Sequence, residues 1–124
     1  MIALISDTGM RLAEAAGLLK SDLELKNDAP HIQLKPHPWR PLKTPGRNRL
    51  IPLAGASLWA AQRLSEAPEN SSFAFTKYNK TNTTNANSAS AALNKWLHQY
   101  VPVGCTMHSF RHSMRDRLRA VECP

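Results

Sequence analysis

Arg11, Lys43, His108 and Arg111 have side chains suited to phosphate chemistry, and they lie in three separated segments: Thr8-Gly9-Met10-Arg11-Leu12-Ala13-Glu14, Leu42-Lys43-Thr44-Pro45-Gly46-Arg47 and His108-Ser109-Phe110-Arg111-His112. A phosphodiester under attack gathers negative charge on its non-bridging oxygens, and arginines fixed in a partly dry site stabilise that charge. Arg11 and Arg111 form the candidate clamp. Arg11 also falls where a helix begins, so free backbone N–H groups add to an anion site. His108, three residues before Arg111 on the same helical face, is able to hydrogen-bond a phosphate oxygen or to handle a nucleophile's proton. Lys43, on a turn, is of the right type to protonate a leaving sugar oxygen. This chemistry calls for no metal and no cofactor.

The charge distribution points to the same partner. The chain of 124 residues carries a formal charge of +7, and most of its 16 cations are arginines, whose planar fork matches phosphate. Residues 1–39 sum to −1, whereas 40–52 sum to +4. Arg40, Lys43, Arg47 and Arg49 occur without a carboxylate among them, and Arg111, Arg115, Arg117 and Arg119 flank only Asp116. Such clusters suit a polyanion. Arg40, Arg47, Arg49 and Arg115 are therefore candidate DNA-backbone contacts. No apolar run approaches the roughly 18 residues of a membrane span, and the first residues lack a basic region and a cleavage site. Cys105 and Cys123 are too few for a disulfide scaffold. A cytoplasmic protein of one domain is expected.

Helices and one hairpin must position these residues. The first helix reaches about Thr8 and ends at Gly9, a residue that enters the left-handed region cheaply. Leu12, Ala15, Ala16 and Leu19 then form a helical stripe that leaves Arg11 and Glu14 on another face. Most of the nine prolines fall in residues 29–53, around the turn signal Thr44-Pro45-Gly46. His31-Ile32-Gln33-Leu34 and Arg49-Leu50-Ile51-Pro52-Leu53 read as a β-hairpin with edge strands, because proline cannot donate to a central ladder. A helix is expected over about 55–66 and a polar loop over about 70–90. Leu93, Trp96, Leu97 and Tyr100 restore a helical stripe. In the last helix Phe110, Met114, Leu118 and Val121 make the buried side, opposite His108, Arg111 and Arg115.

The order and spacing of these segments resemble the tyrosine recombinases, or phage integrases. That family has an arginine in a T-G-x-R-x-x-E segment, a lysine on a β-hairpin before an R-x-I/V-P-L strand, and an H-x-x-R box. Here Arg11, Lys43, Arg49-Leu50-Ile51-Pro52-Leu53, His108 and Arg111 stand at those positions. The resemblance implies an α+β catalytic domain, mainly helical with a small antiparallel sheet. It further implies double-stranded DNA as substrate, a phosphotyrosine intermediate, and other recombinase protomers in a synaptic complex. Only 13 residues follow Arg111, and the family's further His or Trp and its tyrosine nucleophile are not among them. Tyr78 and Tyr100 precede the box and read as loop and core residues. Residues 1–124 are thus expected to be a partial catalytic domain without the nucleophile segment or the N-terminal DNA-binding domain, inactive alone.

Two other readings use the same residues. Cys105, His108, His112 and Cys123 could supply four zinc ligands, although the adjacent arginines oppose a cation. The alternative is a DNA-binding accessory domain without catalysis. His112 is expected to support helix packing. Trp39, Trp59 and Trp96 read as core or rim aromatics, with base stacking open to Trp39.

Overall fold

The computed structural model describes residues 1–42, 48–67, 71–80 and 83–121. The described residues form an α+β domain. Its helices are α1 (Ile2–Ser6), α2 (Leu12–Ala16), α3 (Gly55–Glu66), α4 (Ala86–Leu97) and α5 (Ser109–Ala120), with short 3-10 turns at Lys20–Asp22 and Thr76–Tyr78. Strands β1 (Leu23–Glu24), β2 (His31–Leu34) and β3 (Arg49–Pro52) make an antiparallel sheet in that order, and β4 (Asn79–Lys80) pairs with β5 (Thr83–Thr84). No helix among the described residues is long and apolar enough to cross a membrane.

A five-residue helix such as α1 does not persist alone, and α1 is held by what it buries. Leu4 and Ile5 are fully covered, and the helix packs against α3 and α5. Ser57, Ala60 and Ala61 give α3 a small-residue buried side. The α1 end is set locally: Thr8 Oγ1 donates to the Leu4 carbonyl at 2.7 Å, and Gly9, at φ +67°, donates its N–H to the Ile5 carbonyl at 2.9 Å. Leu4→Ala in so dense a core is worth about 2–5 kcal/mol of stability.

The β2–β3 pairing runs His31↔Pro52 to Leu34↔Arg49. Ile32 and Leu34 are buried while Gln33 is exposed, the two-residue alternation of a strand with one covered face. The proline constraint holds on one strand only: β3, with Pro52, is an edge, but β2 is central because β1 pairs with its other side. Two-residue β1 is too short to leave a periodic signal.

Three expectations are corrected. The polar stretch 70–90 carries structure: the Leu19↔Phe73 bridge, the β4–β5 hairpin and the first residues of α4, capped by Asn85, whose Oδ1 accepts the Ser88 N–H at 3.0 Å. Asn79 Nδ2 ties that hairpin to the Ala16 carbonyl at 2.7 Å. Tyr100 is not a core residue; α4 ends at Leu97, so Tyr100 leaves the helical register and is 67% exposed against Trp96. On α5, Phe110 and Met114 are half-buried, but Leu118, and Val121 just past the helix end, are exposed.

Candidate active site

Between the α1–α2 turn and α5 lies an open cleft of about 460 Å³, bordered by Arg11, His108, Arg111, His112 and Arg115 with Met114 and Leu118. Arg11 and Arg111, a hundred residues apart in sequence, thus share one concavity. Arg11 occupies the first, extended position before α2, and Glu14 accepts its backbone N–H at 3.0 Å. That bond uses a donor the helix cannot satisfy itself and leaves the Arg11 side chain outside any ion pair among the described residues.

Arg111 is fixed from the other side. Its Nη1 donates to the Gly9 carbonyl at 2.9 Å, and the α5 turn that carries it begins at His108, whose carbonyl accepts the Arg111 N–H at 3.0 Å. A second tie lies further along α5, where Arg117 Nη1 meets Asp7 Oδ1 at 2.9 Å and Nη2 donates to the Ser6 carbonyl. Asp7 also accepts the Ala56 N–H at 2.8 Å, at the start of α3. The Arg117 hydrogen bond, and after it the Ala56 N–H, hold the Asp7 carboxyl below the usual carboxylate range. Sequence patterning gave no sign of this Asp7–Arg117 pair, because its members are 110 residues apart.

The other cations are distributed differently. Arg40 is 3% exposed; its guanidinium donates to the Glu14 carbonyl at 2.6 Å and to that of Lys35. Burial pulls its pKa down against the opposing charges of Asp22 and Glu14. Arg40 is therefore a core residue here, and its expected role as a DNA contact is corrected. Arg49 gives its guanidinium to Glu14 Oε1 at 2.9 Å, with the carboxylate buried and the arginine side chain 42% exposed. Glu14 is thus paired with Arg49 and not with the Arg11 side chain. Lys43 and Arg47 lie outside the described residues.

His112 does not support packing; it is exposed, its ring lies edge-on to His108 at 5.1 Å, and its Nδ1 faces Arg115 Nη2 at 3.1 Å. Among the described residues no three His, Cys, Asp or Glu side chains converge as a metal set, and Cys123 lies outside them. Trp39 is half-buried, stacked on His37 at 4.6 Å, with its indole N–H on the Gly17 carbonyl, whereas Trp59 and Trp96 are exposed. Neither Tyr78 nor Tyr100 borders the cleft.

An α+β domain with an arginine-walled cleft between its first turn and its last helix is the class that the motifs implied. Residues 1–122 match the model of the phage integrase family, and the chain belongs to that family. Its fold is similar to that of the Tn1549 transposon integrase. Against the structure in complex with transposon right-end DNA the TM-score is 0.68 at 23% identity, covering 97% of this chain and 45% of that one. Against the complex with circular-intermediate DNA it is 0.65 at 21% identity, covering 99% and 45%. The chain thus spans less than half the length of these structures. No curated protein matches it.

Proposed function

We propose that residues 1–124 are the phosphate-gripping part of a site-specific DNA recombinase that cuts and rejoins double-stranded DNA through a phosphotyrosine, acting in the cytoplasm with other protomers of its kind. The observation that carries this is the meeting of Arg11, His108 and Arg111 at one cleft that no carboxylate among the described residues borders. Arg11 and Arg111 neutralise the two non-bridging oxygens of the scissile phosphate. His108 hydrogen-bonds the same phosphate or relays the nucleophile's proton, and Lys43 protonates the leaving deoxyribose oxygen. In this reading these groups stabilise charge and move protons, and the attacking tyrosine is neither Tyr78 nor Tyr100, which do not border the cleft.

The experiment is an anisotropy titration of a labelled duplex over a range of salt. Each phosphate contact contributes about 0.9 to the slope of log K against log salt. Arg11→Ala and Arg111→Ala are expected to lower that slope and to weaken binding about 10- to 150-fold, the loss of one charge-assisted hydrogen bond of ~1.5–3 kcal/mol. Unchanged slopes in both would remove the basis of the proposal.

A further inference from the structure

The described arginines divide by partner. Arg49 and Arg117 are ion-paired to Glu14 and Asp7, and Arg40 is buried on backbone carbonyls. The arginines bordering the cleft have no carboxylate within ion-pair distance among the described residues, and there are three of them: Arg11, Arg111 and Arg115. One tetrahedral phosphate held by a two-arginine clamp leaves the third without an anion. The cleft, at about 460 Å³, has more than ten times the ~30 Å³ that one water occupies, so room for a longer stretch of backbone exists.

Arg115 is also oriented. A guanidinium has only donors, so in the 3.1 Å contact between Arg115 Nη2 and His112 Nδ1 the ring nitrogen is the acceptor. Arg111 and Arg115 stand at i and i+4, on one face of α5 and about 5–6 Å apart at their Cβ atoms. The pair therefore offers two guanidinium groups in sequence along one wall of the cleft.

Resting on the proposed function above, we infer that Arg115, steadied by His112, binds a second backbone phosphate of the strand whose scissile phosphate sits between Arg11 and Arg111. Arg115 is a positioning residue: it sets where the strand lies and takes no part in bond making. His112 acts through Arg115 by holding its fork before DNA arrives.

The same salt titration decides it, with Arg115→Ala, Arg115→Lys, His112→Ala and, as a control of equal charge on another helix, Arg63→Ala. Arg63 lies on α3 over the Trp59 ring, away from the cleft. Arg115→Ala is expected to lower the salt slope by about 0.9, and Arg63→Ala to leave it unchanged. Arg115→Lys keeps the slope but recovers only part of the affinity, because a point charge lacks the fork. His112→Ala weakens binding without changing the slope. Arg115 is exposed, so circular dichroism of these variants should match the parent. If Arg11→Ala lowers the slope and Arg115→Ala does not, or if Arg63→Ala lowers it equally, the second phosphate site is wrong while the Arg11–Arg111 clamp stands. If neither Arg11→Ala nor Arg111→Ala lowers it, the clamp itself fails and this inference with it.

Discussion

Arg111 donates a 2.9 Å hydrogen bond from Nη1 to the carbonyl of Gly9, across 102 residues of chain. The bond joins the H-x-x-R helix to the turn that presents Arg11, so the spacing of the two clamp arginines is set by one backbone conformation. That conformation needs glycine: at φ +67° an added Cβ would also lie 3.2–3.3 Å from Met114 on α5.

Gly9→Ala is accordingly expected to destabilise the domain by about 1–2 kcal/mol, the strain of an L-residue in the left-handed region, with the Met114 contact adding to it. Urea unfolding measures this. DNA affinity should fall further than the small unfolded fraction accounts for, because α5 must shift away from the turn.

Arg40→Met tests the division of arginines from the opposite direction. It removes a charge but leaves the carbonyls of Glu14 and Lys35 without their buried donors, a loss of about 1–3 kcal/mol each at most. The melting temperature should drop while the salt slope of DNA binding stays at the parent value. A lowered slope would return Arg40 to the DNA-contacting set.

How much of this was legible in the sequence depends on range. Gly9 as a helix end, α3, the β2–β3 pairing and the α5 face carrying His108, Arg111 and Arg115 followed from local periodicity and turn chemistry. Their convergence with Arg11 followed from motif order, which no local rule supplies. Arg40 was misread because a cluster of cations on paper says nothing of which one points inward; Gly17, where a Cβ would meet the Arg40 stem at 2.8 Å, is the only trace of that burial and has no pattern of its own. Tyr100 was misread by carrying a helical stripe past Leu97. Asp7–Arg117 and the His112–Arg115 contact depend on how helices dock and on rotamers, which lie beyond spacing.

The Asp7–Arg117 pair gives a pH signature. Its carboxyl lies below the usual value in the folded chain, so the pair stabilises fully above the unfolded pKa of about 3.9 and loses that contribution as pH falls through the lower folded pKa. The arginine side chain is 53% exposed, and solvent screening limits the effect to about 1 kcal/mol or less. Asp7→Asn should therefore be less stable than the parent at pH 7, with the gap closing in acid. In an Arg117→Ala background, Asp7→Asn should have a smaller effect; equal effects in both backgrounds would deny the coupling.

The nucleophile provides the last test. With Arg11, His108 and Arg111 at the cleft and both tyrosines away from it, residues 1–124 should form no covalent adduct with DNA. A nicked, end-labelled duplex run on a denaturing gel shows any protein-linked strand. A chain extended to a downstream tyrosine should give a labelled adduct that Arg111→Ala abolishes, since charge stabilisation at the phosphate is then missing although the nucleophile is present. An accessory DNA-binding domain would give none in either form. A labelled adduct from residues 1–124 that disappears in Tyr100→Phe or Tyr78→Phe would put the nucleophile upstream of the H-x-x-R box. Such an adduct would also require the segment after α4 or the 3-10 turn before β4 to reach the cleft, by a rearrangement or from a second copy of the chain.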